Sequence, residues 1–156
     1  MKDLTIISGG QTGADRGALD AARALGIPTT GFCPYAYRTE NGPDPSLREF
    51  GLVPTESRGY RERTARNVRQ ADAVIVFAET KSAGSTMTIE LAEQGRKRLL
   101  ILDSCVPYPP RDLADAVRRF LATRPRIHRL MIAGNRESKA WGIHQRVYDI
   151  LLLALS

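Results

Sequence analysis

The chain has 156 residues, of which 42% are hydrophobic and 26% charged, and its formal net charge is +6. This composition is ordinary for a soluble globular protein, and the length fits a single domain, residues 1–156. No apolar run approaches the roughly 20 residues that cross a bilayer, and the first residues lack a signal-peptide pattern, so we expect a cytoplasmic protein without a membrane partner.

Strand-like and helix-like segments alternate along the chain. In chain order, the pattern predicts a strand at 4–8, a helix at 14–25, a strand at 27–32, a long loop at 33–51, a strand at 52–55, a helix at 60–71, a strand at 73–78, a helix at 86–95, a strand at 99–103, a helix at 111–123, a strand at 130–133 and a helix at 143–155. Continuous apolar strands separated by helices predict a doubly wound, Rossmann-like α/β fold with a mainly parallel sheet of about five strands.

The first predicted strand runs into a glycine-rich turn and then into a helix, reading L-T-I-I-S-G-G-Q-T-G-A-D. Backbone N–H groups in such a turn, together with the helix N-terminus, favour a phosphate or another anion. The glycine spacing differs from that of dinucleotide-binding enzymes and P-loop NTPases, which argues against both classes. We expect a phosphorylated small molecule at Gly9, Gly10, Gln11, Thr12 and Gly13.

Two later loops are expected beside the first one, because the carboxyl ends of parallel strands meet at one edge of the sheet. Both are polar, contain glycine and lead into a helix; their candidate ligand-binding residues are Gly84, Ser85, Thr86, Asn135 and Arg136. Arginine in such a loop can hold a phosphate through two hydrogen bonds. The three loops together predict one pocket for an anionic ligand.

Three charged residues near these loops have alternative interpretations. Asp15 either offsets the dipole of the first helix or contacts a ligand hydroxyl, and Arg16 is then a candidate for the phosphate. Arg136 either binds phosphate or forms a surface salt bridge with Glu137.

The 33–51 loop is long enough to be functional. Tyr35 and Tyr37 are candidates to stack on a ring, and Arg38 and Glu40 are candidates to bind polar groups of the ligand. Alternatively, the loop covers the sheet edge or forms a subunit contact.

Outside these loops the sequence shows no convincing catalytic set and no metal-ligand cluster, so we predict no protein-bound metal. Glu79 and Glu90 are the candidate general bases, Glu90 because it lies about one helical turn beyond the A-G-S-T segment. The polar residues Arg63, Thr64 and Asn67 are interpreted as a solvated helix face unless that helix points at the site.

Several segments, in order over nearly the whole chain, resemble the molybdenum cofactor carrier family. They include S-G-G-Q-T-G-A-D-R, R-T-E-N-G, Y-R-E-R-T-A-R-N-V, G-S-T-M-T and A-G-N-R-E-S. That family is distantly similar to lonely-guy phosphoribohydrolases and DNA-processing protein A. The resemblance implies a carrier that binds molybdenum cofactor (molybdopterin), forms homo-oligomers and serves molybdoenzymes. Residues 33–50 and 105–110 are the candidate subunit contacts.

By position, the resemblance carries over to the S-G-G-Q-T-G-A-D-R motif and to Arg38, Glu40 and Gly42. It also carries over to the G-S-T-M-T motif, where Ser85 replaces a glycine that is usual in the family. Two alternatives stay open. A phosphoribohydrolase-like nucleotide hydrolase would use Glu90, although the hydrolase pattern P-G-G-x-G-T-x-x-E is not reproduced. A nucleic-acid-binding module would explain the positive charge, but the arginines do not cluster, so nucleic acid is not the expected partner.

Overall fold

The computed structural model describes residues 3–78, 82–103 and 108–156. In chain order its elements are β1 (Thr5–Ile7), α1 (Ala14–Leu25), β2 (Thr29–Cys33), β3 (Arg38–Thr39), β4 (Gly42–Pro43), β5 (Leu52–Pro54), α2 (Tyr60–Gln70), β6 (Ala73–Ala78), α3 (Ala83–Gln94), β7 (Arg98–Asp103), α4 (Pro110–Leu121), β8 (Arg129–Gly134) and α5 (Ile143–Leu155). Short 3₁₀ turns lie at Tyr35–Tyr37, Pro45–Phe50 and Glu137–Lys139.

Six strands form one parallel sheet in the order β5-β2-β1-β8-β6-β7. The prediction of a doubly wound, mainly parallel α/β fold is therefore confirmed, and the six strands of the sheet correspond to the six strand segments predicted from the sequence. Strands β2 and β5 lie on one side of β1, whereas β8, β6 and β7 lie on its other side. Ligands of such sheets bind outside the carboxyl ends of the strands where the winding direction changes.

Helices cover both faces of the sheet, so successive side chains of each strand enter different cores. Ile6 and Ile75 pack with α1, α4 and α5, whereas Ile7 and Val74 pack with α2 and α3. Burial of both faces explains why these strands are continuous apolar runs rather than alternating ones.

The 33–51 segment has more regular structure than a simple loop. It contains the antiparallel β3–β4 pair and two 3₁₀ turns. Its Leu47 and Phe50 pack against Leu52 and Cys33, which covers the β2–β5 side of the sheet. Cys33 is a free thiol whose pKa burial raises to about 11.

Helix α3 begins three residues earlier than predicted, at Ala83. The side chain of Ser82 caps the helix, because its Oγ accepts a hydrogen bond of 3.1 Å from the backbone N–H of Ser85. Gly84, Ser85 and Thr86 therefore form the first helical turn instead of a preceding loop. A serine three residues before its amide partner is a recognisable N-cap signal that the sequence interpretation did not use.

Glu79, Cys105 and residues 105–107 of the predicted subunit contact lie outside the described residues. Within the described ranges, no helix has the length and apolarity to span a bilayer. The same ranges contain no group of three or more His, Cys, Asp or Glu side chains placed to hold a metal ion.

Candidate functional site

A cavity of about 540 Å³ lies at the carboxyl edge of the sheet, beside the ends of β1, β6 and β8. Four parts of the chain line it: the β1–α1 loop, the first half of α2, the start of α3, and β8 with the loop after it. The residues that line it include Gln11, Asp15, Tyr60, Arg63, Gly84, Met87, Ala133, Arg136 and Lys139.

Helix α2 points at this cavity, which is the exception that the interpretation of its polar residues allowed, so these residues do not form a solvated face. Arg63, Thr64 and Asn67 are all buried, and Arg63 is 7% exposed. The side chain of Asn67 accepts a hydrogen bond of 2.8 Å from Phe32 N–H and donates one of 2.9 Å to the Phe32 carbonyl. These bonds fix α2 against β2 and hold Arg63, one turn earlier, over the sheet edge.

Arg63 lies beside a buried carboxylate. Its Nη1 is 3.8 Å from Asp15 Oδ2 and donates a hydrogen bond of 3.1 Å to Thr64 Oγ1. Burial raises the pKa of Asp15, opposed by the Arg63 charge and by the N–H of Gln11. The Nε atom of Arg63 is enclosed and has no hydrogen-bond partner, alone among the buried side-chain N and O atoms of the described residues.

Gly9 is required for this arrangement because the guanidinium lies against its backbone. A Cβ atom at Gly9 would stand 2.2 Å from Arg63 Nη1 and 2.6 Å from Cζ. The first glycine of the turn therefore makes room for an arginine that follows it by more than fifty residues in the chain.

The N–H groups of the first loop are largely engaged by the protein itself. Gly10 N donates to Ser8 Oγ at 3.2 Å, Gln11 N to Asp15 Oδ2 at 3.1 Å, and Thr12 N to its neighbour's Oε1 at 3.0 Å. The N–H of Ala14 donates to a β8-loop carbonyl at 3.1 Å. The loop therefore has fewer free N–H donors for an anion than its glycine pattern predicts. The positively charged side chains in the cavity lining are then the main groups that could attract one.

Glu40 joins the β1, β3–β4 and β8 loops. Its carboxylate accepts hydrogen bonds from Thr12 Oγ1 and Ser138 Oγ, and one of 3.2 Å from Ser138 N–H. Its Oε1 also lies 3.5 Å from Arg136 Nε. Burial acts to raise the pKa of Glu40, but the hydrogen bonds from Ser138 and Thr12 and the Arg136 charge hold that pKa below its ordinary value.

Arg136 therefore pairs with Glu40, and the expected alternative of a salt bridge to Glu137 was wrong. The Glu137 carboxylate instead accepts from Gly142 N at 2.7 Å and from His144 N at 3.0 Å, at the start of α5. Arg136 lines the cavity from this braced loop.

Asn135 has a positioning role at the centre of the three loops. Its buried side chain donates to Ser82 Oγ at 3.2 Å and to Ser85 Oγ at 3.3 Å, which ties β8 to the start of α3. The backbone carbonyl of Asn135 accepts a hydrogen bond from Ala14 N–H, and its backbone N–H donates one to the Phe77 carbonyl.

Other predicted residues lie away from the cavity lining. Arg16 binds Asp20 at 3.1 Å, Asp44 at 2.9 Å and Ser46 at 3.0 Å, which anchors the Pro45–Phe50 turn to α1. Arg38 donates to a backbone carbonyl of the loop before α2 at 2.9 Å.

Only some of the candidate residues in α3 line the cavity. Gly84 is part of the cavity wall, whereas Thr86 and Glu90 are exposed and do not line it. The lining residues that sequence reasoning missed include Tyr60, Arg63, Met87 and Lys139. The spacing of Tyr60 and Arg63 on one face of the helix, with Asn67 one turn later, is the signal that could have placed α2 at the site.

Residues 6–155 match the model of the circularly permutated YpsA SLOG family. The crystal structure of a protein named "Putative molybdenum carrier protein", from Syntrophus aciditrophicus SB, is similar with a TM-score of 0.90 and 33% sequence identity; the match covers 99% of this chain and 96% of that chain. No curated protein matches the sequence significantly. The last strand in the chain, β8, lies beside the first, β1, in the middle of the sheet.

Proposed function

The chain belongs to the circularly permutated YpsA SLOG family, and on that premise we propose that it is a carrier that binds a phosphorylated, ring-bearing small molecule, with molybdenum cofactor as its ligand. One observation carries the proposal. Among the described residues lining the cavity, Arg63, Arg136 and Lys139 are positive and Asp15 alone is negative, so the cavity has an excess of positive charge that suits an anion.

The phosphate is proposed to lie between the β8 loop and the start of α3. Arg136 and Lys139 supply positive charge on one side. Gly84 lies in the first turn of α3 on the other side, where a Cβ would meet nothing within 4 Å, so a ligand can approach the backbone closely. The first N–H groups of a helix lack intrahelical acceptors and favour an anion.

The ring is proposed to occupy the apolar part of the cavity. Tyr60 offers an aromatic side chain, and Met87 and Ala133 offer apolar surface. Aromatic rings and methionine sulfur both pack favourably against a heterocycle. A cavity of about 540 Å³ is within the range of small-molecule sites.

Calorimetric titration of the purified protein tests the proposal, using molybdenum cofactor released from a molybdoenzyme. The wild-type protein is expected to bind it, and Lys139→Gln and Arg136→Gln are each expected to weaken binding about tenfold, since each removes a charge-assisted contact to phosphate. The exposed Arg119→Gln is the matched control and should bind as the wild type does.

Two results would overturn the carrier proposal. One is the absence of binding heat with the cofactor together with no ligand released from the purified protein on denaturation. The other is release of base or phosphate from nucleoside monophosphates, which would favour the hydrolase alternative.

A further inference from the structure

Two polar atoms of the buried Asp15–Arg63 pair have no hydrogen-bond partner in the protein and are open to the cavity. Arg63 uses Nη1 for Thr64 and Asp15, and its Nε is enclosed, so Nη2 is the remaining donor. Asp15 uses Oδ2 for Gln11 N–H and the guanidinium, so Oδ1 is the remaining acceptor. Neither remaining atom is enclosed, although Asp15 is only 3% exposed and Arg63 only 7%.

A phosphate group does not suit this pair. A phosphate carries about two negative charges, and here it would stand beside a buried carboxylate, where like charges repel strongly because solvent does not screen them. The other positively charged side chains of the cavity are Arg136 and Lys139. Glu40, the carboxylate that pairs with Arg136, does not line the cavity and accepts hydrogen bonds from Thr12 and Ser138. The phosphate therefore belongs at the β8 side and a neutral group at Asp15 and Arg63.

The neutral group that complements an adjacent donor and acceptor is a lactam edge, a ring carbonyl next to a ring N–H. The carbonyl oxygen accepts from the guanidinium, and the N–H donates to the carboxylate. Where the ring also carries a neighbouring amino group, as in guanine and in 2-amino-4-oxopteridines, that group adds a second donor for the carboxylate. Adenine presents the reverse pattern at the equivalent edge and leaves both protein groups unpaired.

We propose that Asp15 and Arg63 read the lactam edge of the ligand's ring, so that the ring enters the cavity with this edge first and the phosphate stays at the β8 side. The inference rests on the proposed function and adds to it the orientation of the ligand and the class of ring selected. Leaving a buried donor and acceptor unpaired is what excludes the wrong ring.

Calorimetry with four phosphorylated probes tests the proposal: inosine, guanosine and adenosine 5′-monophosphate, and neopterin 3′-monophosphate. Inosine and adenosine monophosphate differ only in the edge at issue. The wild-type protein is expected to bind the inosine, guanosine and neopterin compounds at least about tenfold more tightly than adenosine monophosphate, as hydrogen bonds to charged groups imply.

The variant Asp15→Asn keeps the size of the side chain and an oxygen for Gln11 N–H, but it replaces the charged acceptor with an amide. We expect it to reduce the preference for inosine over adenosine monophosphate to about threefold or less, because the amide can satisfy either edge. Asp112→Asn is the matched control: Asp112 also lies in the first turn of a helix, α4, but is exposed. It should leave the preference unchanged.

The possible results separate the two proposals. Equal affinity of the wild type for inosine and adenosine monophosphate would overturn the edge reading while the carrier function stands, as would an unchanged preference in Asp15→Asn. Failure of the wild type to bind any of the four probes would overturn the edge reading, and failure to bind molybdenum cofactor as well would overturn the carrier function. If Asp15→Asn does not fold, the wild-type comparison decides alone.

Discussion

The carboxyl edge of the sheet holds two carboxylate–arginine contacts built on different principles. Asp15 and Arg63 are both deeply buried and 3.8 Å apart, and burial raises the pKa of Asp15. Glu40 and Arg136 are 3.5 Å apart and more accessible, and hydrogen bonds from Thr12 and Ser138 outweigh burial and lower the pKa of Glu40. The two contacts therefore use the same charges with opposite electrostatic outcomes.

The difference shows how one edge can be both rigid and receptive. The Glu40 carboxylate is saturated by protein donors, so it braces the loops and offers little to a ligand. The Asp15–Arg63 pair is incompletely hydrogen-bonded, and buried charges without full pairing lower the stability of the free protein. A ligand that completes these bonds recovers that free energy on binding.

Replacing Arg63 with Met is expected to give the largest effect, a loss of about 3 kcal/mol in the free energy of unfolding, because it leaves the Asp15 carboxylate buried without a counter-charge. Urea unfolding measures it. Arg61→Met, at an exposed position of the same helix, is the control and should change stability by less than about 0.5 kcal/mol.

The pH dependence of the same variant has a defined sign. A carboxyl whose folded-state pKa is raised stabilises the fold below its unfolded-state pKa, and this contribution disappears as the pH rises through the folded-state value. Removing Arg63 takes away the charge that lowers the pKa of Asp15. The loss of stability should therefore shrink in acid and grow toward neutral pH; a loss independent of pH would contradict the account of this pair.

Gly13 and Gly9 test the two regions separately, because Gly13 lies against the β8 loop that Glu40 braces and Gly9 lies against Arg63. At Gly13, φ is +79° and a Cβ would lie 2.4 Å from Asn135 O and 2.6 Å from Glu137 N, both backbone atoms. Gly13→Ala should therefore reduce stability by about 2 kcal/mol or more, since backbone at this braced side cannot move aside easily. At Gly9 the Cβ would meet the end of the Arg63 side chain, which can shift.

Gly9→Ala is accordingly expected to reduce stability by about 1 kcal/mol. For each kcal/mol of stability lost, it should change ligand affinity more than Gly13→Ala does. Chemical unfolding and calorimetry on both variants supply the two measurements. Equal stability losses with unchanged ligand binding in Gly9→Ala would remove the distinction between the braced and the receptive region.

Glu40→Gln is expected to have an effect no larger than that of Gly9→Ala, a loss of at most about 1 kcal/mol at neutral pH, because the side chain keeps its shape and loses only the charge-assisted part of its hydrogen bonds. Glu56→Gln, at an exposed position, is the control. Since the folded-state pKa of Glu40 lies below its ordinary value of 4.5, its contribution is present above that pH and is lost as the pH falls through the folded-state pKa. The difference between wild type and Glu40→Gln should therefore vanish in acid, below the folded-state pKa of Glu40.

Much of the site could be expected from the sequence because it follows from strand order and loop chemistry. The glycine turn after β1 and the polar segments after β6 and β8 lie at one edge of the sheet, and Gln11, Asp15, Gly84 and Arg136 line one cavity there. Arg16 had the same loop context but binds Asp44 and Ser46, which lie 28 and 30 residues further along the chain. No local pattern records such a partner.

The sequence by itself determined the layered parallel sheet, because continuous apolar strands must be covered on both faces and helical spacing shows which residues do so. Only the tertiary structure decided which polar residues face the cavity. Arg63 reaches the cavity because Asn67 binds the backbone of Phe32, 35 residues away in the chain, and because Gly9 leaves space for the guanidinium. Periodicity reports the local backbone, whereas the direction of a polar helix face depends on the surface against which it packs.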